Sequence, residues 1–145
     1  MSDDHSSTEY RTALDDRLAS VLAAADEDRL RLAAGVVGES DDRWYGRLVA
    51  RSCEAAGGEP ASATDAVLRG ATAVELLRGY CRLRSGLFVQ LADEVAHSLN
   101  WDPAAAVLSG DFLQTAACST VLSAETDRRD ECVEPGFEYV RGIEQ

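Results

Sequence analysis

Three arginines on one predicted helix are the first residues whose type and spacing could do chemistry. Arg78, Arg82 and Arg84 cluster, and Arg78 and Arg82 are four apart, which puts them on one helical face. Guanidinium groups gathered in this way can hold an anion such as a phosphate through paired N–H donors. The competing reading is that each pairs with an acid of a neighbouring helix or is solvated, and in so acidic a chain the competing reading is favoured. The other ligand-capable residues do not assemble. Cys53, Cys81, Cys118 and Cys132 are separated by 28, 37 and 14 positions without a C-x-x-C pair, and His5 and His97 sit near none of them. That is neither a zinc pattern nor a dense disulfide framework, so free, mostly buried thiols are expected, with no metal and no cofactor. Neither histidine lies in a motif that would make a nucleophile–base pair, and no glycine-rich phosphate loop is present.

The elements that must position these residues follow from composition and periodicity. The chain has 145 residues, 46% of them hydrophobic, with three prolines and an Ala/Leu bias that favours helix. One helical domain over 8–145 is expected behind a loose acidic N-terminus, 1–7. Net charge is −12, and all 14 basic residues are arginine. Such a charge repels nucleic acid and anionic membranes, and it suits a salt-rich cytoplasm. The longest uncharged run, Phe112 to Ala124, is 13 residues. A bilayer span needs about 20, so no membrane span is expected. The acidic start lacks the basic and apolar regions of a secretory signal, and the expected location is cytoplasmic.

The first helix is placed at Thr8 to Ala25, after a Ser6/Glu9 capping box, with Tyr10, Leu14, Leu18, Val21 and Leu22 as its apolar stripe. A short second helix carries Leu30, Leu32 and Val36 and ends at Gly38. The third starts near Ser40, with Trp44, Leu48 and Ala55 near one face, and stops at Gly57-Gly58. The fourth, capped by Ser62 or Thr64 and reaching Leu99, has Val67, Val74, Leu77, Cys81, Phe88, Leu91 and Val95 as its expected inner side. Gly79 and Gly86 are placed to kink it or to admit a close neighbour. Asp102-Pro103 opens the fifth, which is apolar almost all round to Ala124 and is expected at the centre of the bundle. Thr126 to Glu131 reads as a charged turn, with a short helix after Pro135. No strand signal is evident. Residues 1–42 carry net −7, residues 43–100 net +1 and residues 101–145 net −6, so the middle third stands apart.

Three stretches resemble the trans-isoprenyl diphosphate synthase (polyprenyl synthetase) family. Arg47 to Gly58, R-L-V-A-R-S-C-E-A-A-G-G, is similar to the family's L-L-x-x-x-x-x-E-A-x-G-G. The run from Ala71, A-T-A-V-E-L-L-R-G-Y, resembles A-A-A-x-E-L-x-H-x-Y. Ala105 to Ala116, A-A-V-L-S-G-D-F-L-Q-T-A, looks like A-I-L-A-G-D-x-L-x-x-x-A. Order and approximate spacing agree over residues 40–125. The resemblance implies an all-α bundle like the N-terminal half of the isoprenoid synthase fold.

The family's chemistry does not come with it. Its D-D-x-x-D, whose carboxylates hold magnesium and through it the allylic diphosphate, falls on Ser85, Gly86, Leu87, Phe88 and Val89. Its G-K-R-x-R-P falls on Asp41 to Gly46, where only Arg43 keeps its identity and Asp42 repels phosphate. Arg43 therefore joins Arg78, Arg82 and Arg84 as a candidate anion ligand, and no residue is assigned a catalytic role. Glu75 and Asp111 match family positions and could be read as an acid–base pair; a buried structural role is favoured, with an arginine of the fourth helix as partner of Asp111. The expected function is a non-catalytic synthase-like protein, structural or regulatory, acting as a homo-oligomer or with an active prenyl synthase. The alternatives are a prenyltransferase whose metal site another subunit completes, and a generic helical adaptor.

Overall fold

A computed structural model describes the backbone of residues 2–23, 27–39, 42–58, 65–92 and 101–143, and the side chains of 7–23, 30–39, 42–58, 65–92 and 101–123. Five helices follow in order: α1 (Ser2–Ala23), α2 (Glu27–Gly38), α3 (Trp44–Ala55), α4 (Asp65–Ala92) and α5 (Pro103–Ile143). The described residues contain no strand, and the protein is an all-α helical bundle.

Helix α1 begins at Ser2, earlier than the capping box indicated. Its stripe is as expected, with Tyr10, Leu14 and Leu18 buried and Val21 and Leu22 packed at the edge. Helix α3 ends where Gly57-Gly58 predicts. Gly57 adopts φ +83°, its N–H donates to Glu54 C=O, and Gly58 N–H donates to Cys53 C=O at 3.0 Å. These two bonds are those of a Schellman cap, which needs a residue free to adopt the left-handed region. At α5, Asp102 Oδ2 accepts the Ala105 N–H at 2.9 Å, and Pro103 takes the first helical position. The expected turn at Thr126 to Glu131 is absent. The α5 backbone is helical through this stretch and on to Ile143; Glu, Asp and Arg continue a helix, and Pro135 and Gly136 come only after the expected turn.

Helix α4, not α5, is the centre of the bundle: it touches all four other helices. It runs unbroken through Gly79. A Cβ there would meet Leu113 Cδ1 and Val37 Cγ2 at 3.1 Å, so the glycine admits α5 and α2 close to the backbone. The α4 and α5 axes run antiparallel. Arg69 reaches Ser123, Arg84 reaches Asp111, and the Gln90 amide donates to Trp101 C=O.

The inner side of α4 is not the expected one. Val67, Ala71, Thr72, Glu75, Leu76, Gly79, Leu83 and Leu87 are buried, whereas Leu77, Cys81, Phe88 and Leu91 are exposed. Val74 is half-buried, and Val95 lies outside the described residues. The helix has two apolar stripes. The inward one mixes leucines with small residues that allow close packing, which periodicity alone ranks below a stripe of large side chains. The same correction applies to α3: Trp44, Leu48 and Ala55 are exposed, while Gly46 and Ala50 face inward. Helix α5 buries Ala106, Leu113 and Ala117 and leaves Leu108, Val121 and Leu122 outside. Pro103–Ser123 is long and apolar enough to cross a bilayer by length and composition, and 28% of that stretch is buried. Counting uncharged runs missed it because Asp111 interrupts the run.

Candidate functional site

The polar centre of the molecule is built around Glu75. Helix α3 starts on Arg43, which has no side-chain cap bond, so the first N–H groups of α3 need partners from elsewhere. Asp42 Oδ1 lies 3.3 Å from the Trp44 N–H. Glu75, from the middle of α4, accepts the Gly46 N–H on Oε1 at 2.9 Å. A carboxylate at a helix N-terminus also sits favourably in the dipole field. Glu75 therefore caps α3 from across the bundle, and it is 1% exposed. Its other oxygen, Oε2, lies 3.4 Å from Arg78 Nε. Neither of those two atoms has a well-aligned hydrogen bond, so the pair is held by charge.

Gly46 is the meeting point of three helices. The Tyr10 hydroxyl of α1 donates to Gly46 C=O at 3.0 Å. A Cβ on Gly46 would stand 2.6 Å from Leu14 Cδ2 and 3.5 Å from Glu75 Oε1. Only a residue without a side chain lets α1, α3 and α4 converge here. Burial, then the negative charges of Glu75 and Glu54, push the Tyr10 phenol up to about 12.

Each of the four candidate anion-binding arginines is held by an acid of this chain. Arg43 takes φ +46° at the start of α3. Its guanidinium donates to Asp15 Oδ1 of α1 at 2.7 Å and to Val37 C=O of α2 at 2.6 Å. That carbonyl belongs to the last turn of α2, where helix carbonyls lack partners and a cation is favoured. Arg78 faces Glu75. Arg82 pairs with Glu39 at 2.6 Å, just beyond α2. Arg84 donates to Asp111 Oδ1 of α5 at 2.8 Å, with its guanidinium 5.5 Å from the centre of the Tyr80 ring. Arg82 and Arg84 thus reach toward different helices, and the four do not converge on one anion.

Asp111 is exposed, which corrects the expectation of burial, although its partner is the expected arginine of the fourth helix. The inward positions of α5 at this level are Ser109, Gly110 and Leu113, so Asp111 points off the core. Glu75 and Asp111 do not form an acid–base pair: one is sealed in the core on Gly46 and Arg78, the other lies outside on Arg84. The residues in the D-D-x-x-D register turn mostly outward. Ser85, Phe88 and Val89 are exposed and only Leu87 is buried. Among the described residues no group of three or more His, Cys, Asp or Glu could hold a metal ion. Cys53, Cys81 and Cys118 are free thiols, as expected, but Cys81 and Cys118 are exposed rather than buried; the Cys132 side chain lies outside the described residues.

Sequence reasoning missed the trans cap from Glu75 and the clamp made by Arg43. One signal was available for the first: Arg43, a poor N-cap, stands where Ser, Thr, Asp or Asn would be expected. No family model, curated protein or solved structure matches the chain.

Proposed function

We propose that this chain is a non-catalytic, isoprenyl diphosphate synthase-like helical protein, acting as a structural or regulatory partner in isoprenoid biosynthesis. The observation that carries this reading is the outer side of α4, where Phe88, 75% exposed, and Val89 stand in place of metal-binding carboxylates. Three facts support it. The motif-like stretches occur in the family's order on α3, α4 and α5. The candidate anion-binding arginines are already paired with Asp15, Glu75, Glu39 and Asp111. Glu75, the α4 carboxylate nearest in sequence to the missing motif, is sealed and committed to Gly46.

The test is a condensation assay with radiolabelled C5 and allylic diphosphates and excess magnesium. It is run with the chain alone and again with whatever co-purifies from its native cytoplasm at high salt. No product from the chain alone is expected, because loss of the metal site removes several kcal/mol of transition-state charge stabilisation. Turnover by the chain alone contradicts the proposal. A copurified prenyl synthase whose rate depends on the chain supports it.

A further inference from the structure

We propose that the outer face of the α4/α5 hairpin is the contact between two copies of this chain, which close face to face into a four-helix bundle about a two-fold axis. Leu77, Cys81, Arg84, Phe88 and Leu91 of α4 are all exposed, and they follow one another at steps of four, three, four and three. Leu108, Asp111, Thr115, Cys118 and Leu122 of α5 are likewise all exposed, at steps of three, four, three and four. This is the spacing of a seam that packs against partner helices. The antiparallel register fixed by Arg84 on Asp111 sets Phe88 level with Leu108, and Leu77 level with Cys118. Two parallel stripes therefore form one surface, on the side away from the buried stripe of Leu76, Leu83, Leu87 and Leu113.

Area and charge select a second copy as the occupant. Leu77, Phe88, Leu91, Leu108 and Leu122 are 40–75% exposed. Together they show on the order of 500 Å² of apolar surface, near the upper end for a soluble monomer. Two such faces with their rims reach the roughly 1,000 Å² at which specific interfaces begin. The two stripes carry one arginine and one aspartate, already paired at their centre. Over residues 65–92 and 103–123 the charges are Arg69, Arg78, Arg82 and Arg84 against Asp65, Glu75 and Asp111, four against three, or +1. The whole chain is −12, so the remaining residues hold −13. Two acidic copies meet with little repulsion through this near-neutral face, and a two-fold axis lets Arg84 of each copy face Asp111 of the other. A basic partner would be drawn elsewhere. Hydrocarbon would have to take up an Arg–Asp pair, which is costly.

The inference rests on the reading of this face as a contact surface rather than a substrate site. Its test reads mass and thiol protection, not turnover, so it fails separately from the condensation assay. The full chain in molar KCl is weighed by sedimentation equilibrium from micromolar to submillimolar concentration. The expected mass is twice the 15.6 kDa of one chain. Phe88→Asp should weaken association on the order of a hundredfold or more, because each residue enters a two-fold interface twice and tenfold corresponds to about 1.4 kcal/mol. Phe88 is exposed, so its circular dichroism should match wild type. Leu48→Asp, an exposed apolar site on α3, should leave the mass unchanged. Cys81 and Cys118 should alkylate slowly in wild type and rapidly in Phe88→Asp. A wild type that is monomeric throughout, a Phe88→Asp variant that stays dimeric, or a monomer that floats with lipid vesicles overturns the proposal.

Discussion

The α4/α5 hairpin has two apolar faces that differ in what covers them and in how charge is handled. The inner face packs Leu76, Leu83, Leu87 and Leu113 against α1, α2 and α3, and its charge, Glu75, is sealed on Gly46 and Arg78. The outer face presents leucines and a phenylalanine of similar bulk that no described residue covers, and its charges, Arg84 and Asp111, meet in the open. Composition does not distinguish these faces. What distinguishes them is close approach: Thr72, Gly79, Ala106, Gly110 and Ala117 let helix backbones come together on the inner side. The lesson is that in a helix apolar all round, the small residues mark the covered side.

That contrast breaks most visibly at the buried charge. Glu75→Ala leaves the Gly46 N–H and Arg78 without their partner and should cost about 3 kcal/mol or more. Asp111→Ala should cost no more than about 1 kcal/mol, as exposed pairs do. Glu75→Gln keeps an acceptor for Gly46 and should fall between them. Denaturant unfolding of the three variants checks the order.

Leucines give a second comparison of similar size. Leu76→Ala should destabilise by about 2–5 kcal/mol, because a fully buried side chain leaves a cavity. Leu91→Ala, at 69% exposure, should change the stability of a single chain by less than about 0.5 kcal/mol. Equal losses in chemical denaturation of dilute protein would remove the distinction between the faces.

Smaller effects sharpen the account of the Gly46 junction. Gly46→Ala forces Leu14 to move and should cost about 1–3 kcal/mol. Tyr10 adds a pH signature. Its phenol is raised from 10.0 to about 12 in the folded protein, so the folded state holds the proton more tightly. That contribution is fully present below about pH 10 and is lost between pH 10 and 12, amounting to about 2 kcal/mol. Tyr10→Phe should flatten the alkaline limb of stability against pH by one proton. An unchanged limb would mean that the phenol is not held as described.

The least effect is expected at the surface. The hydrogen bond from Arg17 lowers the Asp65 carboxyl most; burial opposes it, and the Arg69 hydrogen bond and the charges of both arginines add to the lowering. The stability it lends is present above its unfolded value and is lost as pH falls through the lowered one. Asp65→Asn should soften the acid limb slightly in low salt, and less so in molar salt, where screening shortens the reach of charge to about 3 Å.

Much of the fold was legible in the sequence for local reasons. The Gly57-Gly58 cap, the Asp102-Pro103 start and the α1 stripe each depend on a few neighbouring residues, and each stands where the sequence put it. The inner face of α4 was not legible, because two stripes of comparable hydrophobicity compete and only tertiary packing chooses between them. At the candidate site, the pairing of the arginines with acids was foreseen from the charge excess. The sealing of Glu75 was foreseen as burial, but not as a cap on α3, which depends on a contact between residues 29 apart in sequence. Asp111 was misplaced because its apolar neighbours in sequence, Leu108 and Phe112, are not its neighbours across the core.

If one face of the hairpin stabilises the chain and the other joins it to a second copy, stability rises with protein concentration. Melting temperature against protein concentration, measured side by side for wild type and Phe88→Asp in molar KCl, tests this most directly, because only an association makes stability depend on concentration. The wild-type melting temperature should climb with concentration and that of Phe88→Asp should not. A wild-type value independent of concentration, or the same climb in both proteins, would contradict it.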